Sequence, residues 1–207
     1  MQVKWKPVSR SIAANTGLAG WLAADAVRAI ILTRDLATDW IDLAAGLAFL
    51  IAAAFVLARP PPVAQNTDLG AIAVALAGTL LPVTLAWLAR DQRPTSFLLV
   101  IQGAAVLIMA ASLLYLGRNF SIVPQYRSLI TYGPYAFVRH PIYASYIVFD
   151  GALVLESHSL LATAIWLAET GLLLIRAQYE EQLLTNSNPE YGRYTARVRW
   201  RFVPGIT

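Results

Sequence analysis

The feature that most limits what this chain can become is the way its apolar residues arrive in blocks of membrane-crossing length. Five stretches, 41–58, 69–89, 96–116, 142–155 and 160–175, are almost free of charge. Several approach the roughly 20 residues that a helix needs to cross a ~30 Å hydrocarbon core. The breaks between them carry proline, asparagine or charge: "RPPPVAQNTD" at 59–68, "RDQRPT" at 90–95 and "ESHS" at 156–159. The last break is so short that the blocks beside it must form a tight antiparallel helical hairpin. Overall, 57% of the 207 residues are hydrophobic and 14% are charged, against about 25% charged in an ordinary soluble domain. The expectation is an all-α polytopic membrane protein with five to six transmembrane helices.

The sixth candidate is 12–33, which contains Asn15, Asp25 and Arg28. It reads either as a first span, with Asp25 and Arg28 paired one turn apart, or as an amphipathic helix in the interface plane. The basic N-terminus, MQVKWKPVSRS, is followed by no short apolar core with a small-residue cleavage site, so it does not read as a cleaved signal. Basic residues set the orientation. Arg118, Arg127 and Arg139 lie in 117–140, and Arg193, Arg197, Arg199 and Arg201 in the tail, whereas "ESHS" has neither Lys nor Arg. The positive-inside rule therefore puts 117–140 and the tail in the cytoplasm. Arg90 and Arg93 then fall outside, a mild violation, while a spanning 12–33 brings the basic N-terminus inside. The compartment expected is a bacterial inner membrane.

Other classes are disfavoured. With no cysteine and two histidines, neither a thiolate nor a histidine-rich metal site is expected. The net charge of +4 suits anionic lipid headgroups, and the basic residues do not form the continuous face that nucleic acid needs. No internal repeat or linker divides the chain, so 1–207 reads as one domain, with N-terminal spans in 1–115 and a functional half in 116–207.

Polar and aromatic residues gather at one end of that second half, in 116–146 and 175–202, and the hairpin brings the two groups together. Pro141 can open a helix because its missing N–H costs nothing at the first position. Arg139 and His140 then stand at a helix N-terminus, where free N–H groups favour an anion. The plain alternative is a snorkelling Arg139 and a capping His140. Arg176 and Glu180 lie four residues apart on one helical face, and Glu181 lies about 100° further round. An isolated pair of this kind is usually a solvated ion pair. Two glutamates opposite an Arg-His-Pro corner, with Tyr179 beside them, instead suit a ligand carrying both signs of charge, such as S-adenosyl-L-methionine.

The motifs are similar to those of the isoprenylcysteine carboxyl methyltransferases and their bacterial relatives. Over about the last 90 residues the chain carries Leu116-Gly117-Arg118-Asn119-Phe120-Ser121, then Gly133-Pro134-Tyr135, then Val138-Arg139-His140-Pro141 with Tyr143. Arg176, Glu180-Glu181, Leu184, Tyr191 and Tyr194 follow in order. Two positions depart from the pattern: Ser145 replaces a glycine, and Asn188-Pro189 replaces Phe-Gly. The resemblance implies a cytoplasmic S-adenosyl-L-methionine pocket contacted by His140, Pro141, Tyr143 and Glu181, with Tyr135 and Arg139 close by. Arg176 and Glu180 would sit nearest the methyl acceptor, and the catalytic set is Arg176, Glu180 and Arg139. The family's eukaryotic members methylate the carboxylate of a prenylated cysteine, so a lipid-like acceptor is implied. Small residues of 103–111 would line its lateral entrance or simply pack against a neighbouring helix. A phospholipid N-methyltransferase and a non-catalytic scaffold or transporter are the alternatives, the last suggested by Asp150 and Glu169 inside spans.

Overall fold

The computed structural model describes residues 12–32, 36–89 and 95–205. Arg90, Arg93, the N-terminal eleven-residue stretch and most of "RDQRPT" lie outside the described residues. The chain forms α1 (Ile12–Leu32), α2 (Leu36–Ala58), β1 (Ala64–Gln65), α3 (Leu69–Ala89), α4 (Ser96–Leu116), β2 (Gln125–Tyr126), α5 (Pro141–Ser157), α6 (Leu160–Ser187) and α7 (Tyr191–Arg197). This is an all-α membrane protein. Four helical stretches among the described residues are long and apolar enough to cross a bilayer: Trp40–Ala58, Leu69–Ala86, Ser96–Asn119 and Leu160–Ser187. Neither α1 nor α5 is among them.

The helices pack as a connected bundle: α1 on α2, α2 on α4, α4 on α5, and both α3 and α5 on α6. Small residues make the closest approaches. A Cβ added at Gly46 on α2 would lie 3.1 Å from the Ala29 methyl on α1, the close backbone packing that membrane helices favour when apolar burial gives no net drive. Gly103 on α4 lies under the Trp40 indole.

One end of the bundle is heavily cross-tied. Chain direction alternates along α1 to α6, so the start of α1, the end of α2 and the end of α4 all meet there. Arg59, just past α2, donates to Asn15 Oδ1 at 2.6 and 3.0 Å and to the Phe120 carbonyl at 2.8 Å. β1 and β2 pair antiparallel, Ala64 opposite Tyr126 and Gln65 opposite Gln125, fastening the loop after α2 to the loop after α4. Gly133 adopts φ +63°, and a Cβ there would collide with the Tyr115 ring at 2.6 Å. Both the backbone and the close approach require glycine.

The α5–α6 hairpin sets the depth of this end. Its turn is compact, with His158 left-handed and Ser159 capping α6 through its hydroxyl. Trp166 donates to the Ile147 carbonyl at 3.0 Å, locking the two helices. At 1.5 Å per residue, 17-residue α5 is about 25 Å long and 28-residue α6 about 42 Å. Levelled at their shared turn, α5 begins well below the end of α6. The residues at the start of α5 therefore face the part of α6 carrying Arg176 to Glu181, inside the bundle and below its polar surface.

Candidate active site

The recess above α5 is a polar chamber. Pro141 opens α5, and the backbone N–H groups of Arg139 and His140 are taken by the Trp200 and Arg201 carbonyls, at 3.0 and 2.8 Å. The tail after α7 thus runs across the start of α5 as a strap. It places Phe202 against His140, with ring centroids 5.6 Å apart, while the His140 ring stacks on Tyr143 at 5.3 Å and 3°.

Two carboxylates flank the imidazole. Glu181 Oε1 lies 3.1 Å from His140 Nε2, and Glu180 Oε2 lies 3.8 Å from Nδ1. Their surroundings differ, as the 100° step between them requires. Glu180 accepts from the Tyr143 hydroxyl and from Arg176 Nε at 3.2 Å, and it lines the cavity. Glu181 is held by Arg201 at 2.9 and 3.2 Å and by Arg139 at 3.5 Å, and it belongs to a shallow outer depression.

Arg176 is buried, and all three of its nitrogens have partners. Nε pairs with Glu180, Nη1 donates to Thr79 Oγ1 on α3 at 3.3 Å, and Nη2 donates to the Ser121 carbonyl at 3.2 Å. The guanidinium carbon sits 5.0 Å over the Tyr143 ring, a cation–π placement. Each terminal nitrogen keeps a second N–H beyond the one used.

Tyr135 and Tyr194 close the outer side, with the Tyr194 hydroxyl donating to the Tyr135 carbonyl at 2.8 Å. Burial, followed by the nearby Glu180 charge, raises the Tyr135 phenol well above its ordinary value. Tyr194 is pushed up to about 12, chiefly by burial. Both phenols are therefore neutral donors at physiological pH.

A single cavity of about 260 Å³ joins this chamber to the bundle interior. Its polar wall includes Tyr135, Arg139, His140, Tyr143, Arg176 and Glu180, and its apolar wall includes Phe49, Val83, Val106 and Met109. Six of the eight residues singled out from the sequence thus line one space. The other two do not line it: the Pro141 side chain is fully buried at the helix start, and Glu181 stands behind His140. Of the small and flexible residues in 103–111, Ala105 and Met109 line the cavity while Gly103 packs under Trp40. Ser145 is buried and bonds back to the Pro141 carbonyl at 2.9 Å, so the extra hydroxyl finds a partner within its own helix. Asp150 and Glu169 are buried and interact across the hairpin, and Asp150 Oδ2 and both Glu169 carboxylate oxygens have no hydrogen-bond partner among the described residues. Among the described residues no group of three metal-ligating side chains occurs.

Residues 96–186, from the start of α4 almost to the end of α6, match the model of the isoprenylcysteine carboxyl methyltransferase family. The match covers a little under half of the chain, and it supports a membrane methyltransferase. No curated protein matches the chain. The methyltransferase segment supplies the polar wall from Ser121 to Glu180, but several partners come from outside it. Thr79, Arg201 and Phe202 were not legible as site residues. Thr79 is one hydroxyl in an apolar span, and the strap's contacts join positions far apart in sequence. The one local signal was the aromatic and basic density of 199–202.

Proposed function

We propose that this protein transfers a methyl group from S-adenosyl-L-methionine to an amphiphilic acceptor, through O-methylation of a carboxylate such as that of a prenylated cysteine. The observation that carries this reading is the cavity itself, a charged and aromatic chamber continuous with an apolar cleft between helices. A small hydrophilic acceptor would leave the apolar wall wet, whereas an amphiphile fills both parts.

The residues present suit the cofactor. Stacked His140, Tyr143 and Phe202 rings offer flat faces, Glu180 and Glu181 offer negative charge to an ammonium or sulfonium, and Arg139 offers a partner to a carboxylate. When bound, S-adenosyl-L-methionine would supply an electrophilic methyl on sulfur. Tyr135, Arg139, His140 and Tyr143 would hold it, with Pro141 setting the helix start and Glu181 orienting His140 and Arg139 from behind. Arg176, fixed on four sides, would turn a remaining N–H toward the acceptor carboxylate, with Glu180 fixing Arg176. A carboxylate already carries the charge needed for attack, so positioning and water exclusion do most of the catalytic work.

The reading includes six spans, with α1 and α5 completing the alternation, and a cytoplasmic site in a bacterial inner membrane. A second acceptor chemistry, methylation of a phospholipid amine, draws support from Glu180, a carboxylate facing the cavity where an amine would lose its proton. Purified enzyme given methyl-labelled cofactor with a farnesyl-cysteine analogue or phosphatidylethanolamine separates the two. A base-labile, volatile label on the cysteine analogue is the expected result. A base-stable label on phosphatidylethanolamine alone would move the assignment to nitrogen, and no transfer to either would count against the reading.

A further inference from the structure

A second charged wall faces the same cavity. Arg127 on the loop after α4 donates from Nε to the Pro60 carbonyl at 2.8 Å and from Nη2 to Gln125 Oε1 at 2.6 Å. Its third nitrogen, Nη1, is buried without a hydrogen-bond partner, although Arg127 lines the cavity. Arg59 stands close enough to repel it, and burial together with that repulsion lowers the Arg127 guanidinium to about 10. Arg59 is itself buried, and among the described residues it bonds only neutral oxygens, Asn15 Oδ1 and the Phe120 carbonyl. Among the described residues neither arginine has a carboxylate within ion-pair distance. Two guanidiniums held together without a counter-charge, one with a buried donor unused, are costly unless an anion joins them.

The wall is also tied to the proposed reaction centre. Gln125 Oε1, which accepts from Arg127, lies 3.1 Å from the Ser121 hydroxyl, and the Ser121 carbonyl accepts from Arg176. Gln125, Asn119, Ser121 and Ser128 also line the cavity. Short polar contacts therefore connect the two charged sites along one wall.

We propose that Arg127, backed by Arg59, binds a non-reacting anionic group on the headgroup of the methyl acceptor. The acceptor is then an amphiphile with a phosphate or carboxylate a few bonds from the atom that is methylated. This rests on reading the cavity as the acceptor site. The Glu180 side takes the reacting atom and the Arg127 side takes the anion, so the headgroup lies across the chamber and the tail enters the apolar cleft. An uncharged amphiphile of equal length would leave the Arg127 donor unpaired.

The test uses full-length protein in neutral maltoside micelles, titrated with dodecyl phosphate, dodecanol and inorganic phosphate. Tryptophan fluorescence reads binding, and S-adenosylhomocysteine is titrated separately by calorimetry. Wild type should bind dodecyl phosphate saturably and at least tenfold more tightly than dodecanol. Arg127→Gln should erase that preference, Arg127→Lys should restore part of it, and Arg193→Gln, at an exposed position, should leave it intact. Affinity for S-adenosylhomocysteine should be equal in wild type and Arg127→Gln. The proposal is overturned if wild type does not prefer the phosphate, a result that needs no variant to fold. It is equally overturned if Arg127→Gln keeps the preference, if inorganic phosphate competes as well as dodecyl phosphate, or if Arg127→Gln loses S-adenosylhomocysteine. Failure of wild type to bind S-adenosylhomocysteine would instead strike the methyltransferase cofactor reading and leave the anion result to stand alone.

Discussion

The two helical pairs at opposite ends of the chain, α1–α2 and α5–α6, occupy similar lengths of bundle and are built by different means. The first pair meets through Gly46, Ala26 and Ala29, with backbones nearly touching. The second meets through groups that bond: Trp166 to the Ile147 carbonyl, and above it the cluster of His140, Tyr143, Arg176, Glu180 and Glu181. Small residues are the inexpensive way to hold helices together in lipid, because nothing polar has to be satisfied. Charged side chains at that depth are costly unless paired, and their accumulation at one end of one hairpin is what supports placing the proposed chemistry there. The family match follows the same division, covering α4 to α6 and omitting α1, α2 and α3.

The difference predicts which changes will touch activity and which only stability. The largest effect expected is from Arg176→Lys, which keeps the charge but loses the planar fork that bonds Glu180, Thr79 and Ser121 together. Methyl transfer to an acidic acceptor should fall by roughly 10²-fold through lost positioning, with cofactor affinity little changed. Full turnover by the lysine variant would remove the carboxylate assignment and favour an amine acceptor.

Next is the strap. Arg201→Ala removes the two bonds that hold Glu181 behind His140. It should weaken S-adenosylhomocysteine binding by roughly tenfold, the scale of one charge-assisted hydrogen bond, as read by calorimetry. Unchanged affinity would mean that the strap merely covers the site.

The first pair should behave oppositely. Gly46→Leu forces a side chain where the α1 backbone already stands, costing about 1–3 kcal/mol by overpacking. The melting temperature in detergent should drop while S-adenosylhomocysteine affinity, measured below the transition, stays at the wild-type value. Lost affinity at full folding would show that α1–α2 shapes the site directly.

A last comparison concerns sidedness and needs no loss of function. The native chain has no cysteine, so Ser157→Cys and Arg193→Cys can each be labelled in intact cells. The first should react from outside and the second only after permeabilisation. Reaction of the Ser157 variant only from the inner side would invert the hairpin.

The sequence carried the bundle well and the site unevenly, for physical reasons. Hydropathy reads the energy of lipid exposure, so the blocks at 69–89 and 96–116 coincide with α3 and α4. It placed the last block at 160–175, whereas α6 continues to Ser187, because a helix keeps its backbone bonds after its side chains turn polar. The i,i+4 relation of Arg176 and Glu180 was legible as a local property of a helix. The cradle of Arg176 was not, since Thr79 and Ser121 reach it from two other elements. Helical spacing separated Glu180 from Glu181 by about 100° but did not show what each would face. Only the fold separates one facing the cavity from one locked behind His140 by Arg201. Ser145 looked like an anomaly for the same reason, its partner lying one turn away.

The central claim is that the chamber around His140 holds the methyl donor, and the most direct measurement is a calorimetric titration of the detergent-purified protein with S-adenosylhomocysteine. Wild type should bind one equivalent, and His140→Ala and Glu181→Ala should each bind substantially more weakly while melting at temperatures close to wild type. Equal affinity in wild type and both variants, or no binding by well-folded wild type, would contradict the account.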